Sequence, residues 1–153
     1  MRSLVCKLLV TGYGILALLL ALISNKWIAD RFPIHFYQVE NRSMTPALLP
    51  GDLLLADARS AALRSLKSGQ IVIYENLGHP RSFLVKRIHA ISGDSVFVVG
   101  DNEEMSYDSR QTGPIHVGRV RGVPFRIYAS RAPQGGSLRW GRFGRSLLTR
   151  TKE

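Results

Sequence analysis

Residues 8–24, LLVTGYGILALLLALIS, carry no charge, and this run constrains the chain more than any other feature. As an α-helix it spans about 25 Å at 1.5 Å per residue, against about 30 Å for a bilayer core. Leu4–Lys7 or Asn25–Ile28 supply the missing turn, with Lys7 and Lys26 near the two ends and Trp27 suited to an interface. A transmembrane signal anchor is the first reading. A cleaved signal peptide is the second, although the run is long for one and no clear Ala-x-Ala site follows it. A buried soluble helix is the third, and the all-round apolar character argues against it. The α-amino group, Arg2 and Lys7 precede the run, while Lys26 and Arg31 follow it, offset by Asp30. The positive-inside rule then puts the N-terminus in the cytoplasm and the rest of the chain outside.

The chain has 153 residues, one domain's worth, and 45% of them are hydrophobic. Its formal net charge of +10 calls for an anionic partner: a membrane surface, an acidic protein or nucleic acid. Cys6 is the only cysteine, so no intrachain disulfide forms. It precedes the apolar run, which does not suit a lipoprotein lipidation site.

Past residue 30 the pattern becomes short and alternating. Strand signals fall at His35–Glu40, Asp52–Ala56, Gln70–Tyr74, Phe83–Ile91 and Ser95–Val99, with one or two more over Val117–Tyr128. Residues 57–68 read as a loop or short helix, Asn76–Arg81 as a turn and 100–114 as a long polar loop. Frequent turns between short strands predict a mainly β, largely antiparallel domain after an N-terminal transmembrane helix. The division expected is anchor and linker at 1–30, β-domain at 31–130 and basic tail at 131–153. Arginines and Lys152 in that tail alternate with Trp140, Phe143, Leu147 and Leu148. Such a segment either lies on an anionic membrane or stays a solvated tail. No recognition helix or stacking module accompanies the charge, so nucleic acid is not an expected partner.

Alternation along 84–90 puts Leu84, Lys86, Ile88 and Ala90 on one strand face, with Arg87 and His89 on the other. Lys86 then stands among apolar neighbours, where lost hydration lowers its pKa. A neutral amine there acts as a general base for a serine hydroxyl; a lysine reaching solvent at a sheet edge is the plainer alternative. NRSMTPALLPGD, residues 41–52, offers Ser43, although its prolines, glycine and aspartate also suit an ordinary turn. In the loop 100–114, Ser106 can hydrogen-bond an amine and Asp108 can pair with Arg110. A solvated acidic turn accounts for the same residues.

The order and spacing of these segments resemble one family. SMTPALLPGD (43–52) resembles the Ser-Met-x-Pro-Thr-Leu-x-x-Gly-Asp box of bacterial type I signal peptidases. VKRIHAISGD (85–94) resembles that family's Lys-Arg box, and GDNEEMSYDSRQTGP (100–114) its Gly-Asp-Asn-x-x-x-Ser-x-Asp-Ser-Arg-x-x-Gly-Pro box. The resemblance runs over about residues 4–128. It implies an antiparallel β-domain on the membrane and a serine endopeptidase cutting signal peptides from precursor proteins after small residues. Ser43 would be the nucleophile and Lys86 the general base. Ser106 would orient the lysine, with Asp108–Arg110 as a supporting ion pair and Asp101 and Asn102 shaping the loop. The Ser43 N–H would serve the oxyanion hole, with Asn41 as a second donor. Tyr37, Val39 and Met44 would line the substrate groove, which takes the peptide as an added strand. No metal or cofactor is implied. The expected place is the cytoplasmic membrane, single-pass, with the catalytic domain extracytoplasmic, and the expected partners are precursor proteins and the lipid bilayer.

The chain departs from the family pattern at Asn41, where some members have serine, at Arg42, where the residue is usually small, and at Ala47. It also lacks the large insertion between the second and third boxes, having only Ser95–Val99 there. That layout resembles peptidases dedicated to one partner, such as the nickel superoxide dismutase maturation proteases. His89 lies off the Lys86 face, so it is not the expected base. A catalytically silent membrane protein that binds peptide or lipid is the rival reading; the set Ser43, Lys86, Ser106, Asp108 and Arg110 favours the enzyme.

Overall fold

The computed structural model describes residues 33–76, 78–79 and 82–148. The expected anchor over 1–30 therefore lies outside the described residues, as does the end of the tail. Among the described residues no helix is long and apolar enough to cross a membrane.

The described chain is mainly β. Seven strands form one sheet: β1 (Ile34–Gln38), β2 (Asp52–Asp57), β3 (Ile71–Glu75), β4 (Phe83–Ser92), β5 (Ser95–Val99), β6 (Ile115–His116) and β7 (Val120–Ser130). Their order is β1-β2-β7-β3-β4-β5-β6, and every adjacent pair is antiparallel. Short helices α1 (Ser60–Arg64) and α2 (Ser109–Thr112) sit in two of the connections.

The unbroken apolar run IVIY explains the central place of β3. Ile71 and Ile73 pack into one cluster with Val39, Met44, Leu48 and Leu54. Val72 and Tyr74 point the other way, into a second cluster with Ile88, Val96, Val98 and Val120. Both faces of the strand are thus covered, each buried aliphatic side chain contributing about 1.5–3 kcal/mol. The first cluster takes in Met44 and Leu48 from the segment joining β1 to β2, which carries the first box, and Ala62, Leu63 and Leu66 in and after α1 pack against the second.

The register holds one surprise in β4. Lys86 and Ile88 are buried, but Ala90 is exposed. The pairing with β5 shifts between Ile88 and Ala90, and this bulge ends the strict alternation that put Ala90 with the other two.

Residues 131–148 fold back along β7. Backbone hydrogen bonds run from Ile127 N to Arg145 O (2.9 Å), from Gly144 N to Ile127 O (2.9 Å) and from Leu147 N to Phe125 O (2.9 Å). Leu147 packs against the first apolar cluster. Arg139 and Arg142 turn inward to Asp52, which is fully buried.

Candidate active site

The first box leaves β1 at Val39 and returns to β2 at Asp52. Its ends are closed by Val39 N to Asp52 O (2.9 Å) and Gly51 N to Val39 O (2.7 Å). Gly51 has φ +88°, a conformation that only glycine adopts readily. Met44 and Leu48, fully buried, hold the loop down on the core. Ser43 is only 3% exposed, and so is Lys86 on β4.

Lys86 Nζ donates to Ser43 Oγ at 2.7 Å. Burial is the main force on the amine and pulls its pKa below the usual lysine value. The carboxylate of Asp108 opposes that shift and the Arg110 cation adds to it. Ser43 also makes two bonds to the Asn41 side chain. Its Oγ donates to Asn41 Oδ1 at 2.8 Å and its backbone N–H donates to the same oxygen at 3.2 Å. A backbone N–H can only donate, so Asn41 presents its carbonyl oxygen here and its NH₂ faces elsewhere.

The third box surrounds Asp108, which is buried with one oxygen accepting from Ser106 Oγ (2.5 Å), Gly100 N (2.8 Å) and Arg110 Nη2 (2.8 Å). Its other oxygen accepts from Arg110 Nε at 3.0 Å and from the Arg110 N–H, so the carboxylate also caps α2. Burial pushes its pKa up, but the bonds from Arg110, Ser106 and the backbone prevail and hold it well below the carboxylate range. Ser106 therefore gives its hydroxyl to Asp108. That leaves the lone pairs of its oxygen to accept, and the expected hydrogen bond between Ser106 and Lys86 is not seen among the described residues.

Two further links tie this loop down, one to Ser43 and one to β4. Asn102 N donates to Ser43 O at 3.0 Å. Arg87 grips Asp101 with two bonds of 2.7 Å and donates to Gly69 O at 2.7 Å. In sequence Arg87 stands out only as the member of the Lys-Arg box that faces away from Lys86. Its partnership with Asp101 joins the second box to the third, a role hinted at by the Lys-Arg and Gly-Asp dipeptides. Gly100 is the other residue that the sequence reading passed over. A Cβ there would collide with Ser106 Oγ and stand 2.5 Å from the Ser43 carbonyl oxygen.

Two cavities meet at Asn41. The larger, about 560 Å³, is lined by Ser43, Lys86, Tyr74, Leu84 and Arg119 among others. The smaller, about 410 Å³, is lined by Tyr37, Val39, Ser82, Phe83 and Val85. Met44, expected on the groove wall, is fully buried in the core beneath Ser43. Among the described residues no three His, Cys, Asp or Glu side chains gather as a metal site.

The family model described as signal peptidase, peptidase S26, matches residues 10–96, more than half of the chain and both Ser43 and Lys86. The chain belongs to the signal peptidase S26 family. It is 30% identical over 107 residues to mitochondrial inner membrane protease subunit 1 of Mus musculus, covering 56% of this chain and 64% of that protein. The Homo sapiens subunit 1 gives the same identity and coverage. Mitochondrial ATP-independent inner membrane protease subunit 1a of Arabidopsis thaliana is 28% identical over 118 residues, covering 62% of this chain and 70% of that protein. The chain thus spans 64% of the length of the mouse and human relatives.

Proposed function

We propose that this chain is a membrane-anchored serine endopeptidase that cuts signal or leader peptides from precursor proteins after small residues. The observation that carries the reading is the 2.7 Å contact between the buried Lys86 amine and the Ser43 hydroxyl in a chain of this family. In the proposed reaction, neutral Lys86 takes the Ser43 proton as Oγ bonds to the scissile carbonyl carbon. The oxyanion formed would take the Ser43 N–H in place of Asn41 Oδ1, which holds it at 3.2 Å. The C–N bond then breaks, and the Lys86 ammonium returns its proton to the leaving amine. Water attacks the resulting ester, giving its proton to Lys86, and the acid product leaves as Oγ regains a hydrogen. Asn41 would have to turn its amide round to add a second donor. Ser106, Asp108 and Arg110 would act on Lys86 through charge and through the shape of the loop, with Asp101 and Asn102 fixing that loop to Arg87 and Ser43.

The precursor would lie as an added strand between β1 and the start of β4. Tyr37 and Val39 would line its smaller cavity, with Met44 as support beneath. β1 ends the sheet and so has an edge to offer, which favours this mode. Residues 1–30 would be the anchor and 31–130 the catalytic domain, with 131–153 as a basic tail, in a cytoplasmic membrane with the domain outside. The relatives' names, inner membrane proteases, support a membrane setting. The direct step from β5 into the third box, without an insertion, favours a second reading in which the enzyme serves one dedicated partner.

The test is cleavage of a model secretory precursor by the purified full chain in detergent, beside Ser43→Ala and Lys86→Ala. Cutting after a small-x-small site by the parent alone supports the reading. Cutting by Ser43→Ala contradicts it.

A further inference from the structure

Two buried side-chain polar atoms among the described residues lack a hydrogen-bond partner: Ser82 Oγ and Arg119 Nε. Native proteins leave few such atoms, so each asks for an explanation. Both belong to residues that line the candidate site. Ser82 lines the smaller cavity and Arg119 the larger, on either side of Asn41.

Arg119 is the more telling. Its guanidinium sits 5.9 Å from the Tyr74 ring centroid, and Nη2 donates to the Glu75 carbonyl oxygen. These contacts fix the group without neutralising it. The nearby carboxylates are otherwise engaged. Glu75 is held by Arg121 at 2.8 and 2.9 Å, Asp108 by Arg110 and Asp101 by Arg87. The larger cavity is therefore lined by a fixed cation whose Nε–H is unspent and whose charge is felt by Glu75, a carboxylate already ion-paired with Arg121. The other charged residues along it are Lys86, its pKa lowered by burial, and Asp108, already paired.

Resting on the peptidase reading, we propose that Arg119 is a specificity residue selecting precursors with an aspartate or glutamate near the cleaved bond. The acidic side chain would lie in the larger cavity and accept from the guanidinium. Charge-assisted bonds of this kind are stronger than neutral ones and suit the planar arginine fork. An apolar residue at the same position would leave the buried donor unsatisfied, whereas asparagine would meet it with a neutral oxygen and the weaker, uncharged bond.

The test uses the full chain in detergent and peptides in matched pairs. An aspartate is moved one residue at a time from three before to three after the cleaved bond, with asparagine as its control. The parent should favour the acidic peptide at one position by about tenfold or more in kcat/KM. In Arg119→Gln that ratio should fall to near one, in Arg119→Lys it should partly survive, and in Arg119→Glu a lysine peptide should be preferred. A merely structural arginine would change the rates for both peptides together and leave their ratio intact. A parent ratio near one at every position, or a preference that persists in Arg119→Gln, overturns the proposal. If the parent cuts no peptide, the peptidase reading fails, and binding of the same labelled pairs decides this one. Tighter binding of the acidic member upholds it, and equal binding overturns it.

Discussion

Arg142 reaches across ninety positions of sequence to Asp52, with Nη2 2.5 Å from Oδ2 and Nε 3.0 Å from Oδ1. The same Nη2 donates to Ala47 O at 2.9 Å, and Arg139 donates to Pro50 O at 2.5 Å. The C-terminal segment thereby clamps the far end of the loop that carries Ser43. Arg142→Ala leaves a buried carboxylate without its main partner. It should cost about 3 kcal/mol, the low end for breaking a buried pair, because Ser130 Oγ and the Leu49 N–H still hold Asp52. Urea unfolding of the variant against the parent measures it.

Acid should loosen the same clamp. Burial raises the Asp52 pKa, yet bonds from Arg142, Leu49 and Ser130 bring the result below the ordinary 3.8, and Asp108 lies lower still for the same kind of reason. The folded state therefore binds fewer protons than the unfolded state in this range. The stability these groups contribute is present above pH 3.8 and drains away as pH falls through their folded values. Melting temperature should drop steeply below about pH 4, and Asp52→Asn should flatten that slope.

The Lys86 shift has the opposite chemical meaning. A depressed lysine pKa gives a rate that rises with pH at a midpoint below 10.5. Arg110→Gln removes a cation that lowers that pKa and frees the Asp108 charge that raises it. Both changes act in one direction, so the midpoint should move to higher pH and the rate at neutral pH should fall. A pH profile of kcat/KM for the two proteins reads this out. A rate that is flat from about pH 6 to about pH 10 argues against a titrating lysine.

Gly100 stands where the two loops meet. Gly100→Ala sets a methyl group 2.5 Å from the Ser43 carbonyl oxygen and into Ser106 Oγ. One loop must then move. The expected cost is about 1–3 kcal/mol of stability, with a fall in cleavage larger than the unfolded fraction explains. Chemical denaturation and initial rates on the same sample separate the two effects.

Periodicity and turn chemistry made much of this fold legible. Turn residues bracket β3, β4 and β5, and the alternation in β4 put Lys86 beside Ile88. The family's boxes led to Ser43, Asp108 and Arg110, whose charges and bonds now meet at Lys86. What was not legible is long-range or depends on backbone irregularity. The bulge that exposes Ala90 leaves no local signature. Arg139 and Arg142 look like a solvated basic tail until Asp52, far away in sequence, supplies their carboxylate. Ser106 can bond either an amine or a carboxylate, and only three dimensions decide. Arg119 sits in a short turn outside every box, and only the empty space beside it marks it out.

The proposed chemistry stands or falls on Ser43 as a nucleophile made reactive by Lys86. The most direct measurement is intact-mass and peptide-level mass spectrometry of the full chain after exposure to a serine-directed acylating probe, across pH. One adduct is expected, on the 42–44 segment at Ser43, forming faster as pH rises. Lys86→Met should lose it while staying folded, since it replaces a buried amine with an apolar chain of similar length. An adduct elsewhere, or labelling of Ser43 at the same rate in Lys86→Met, would contradict that chemistry.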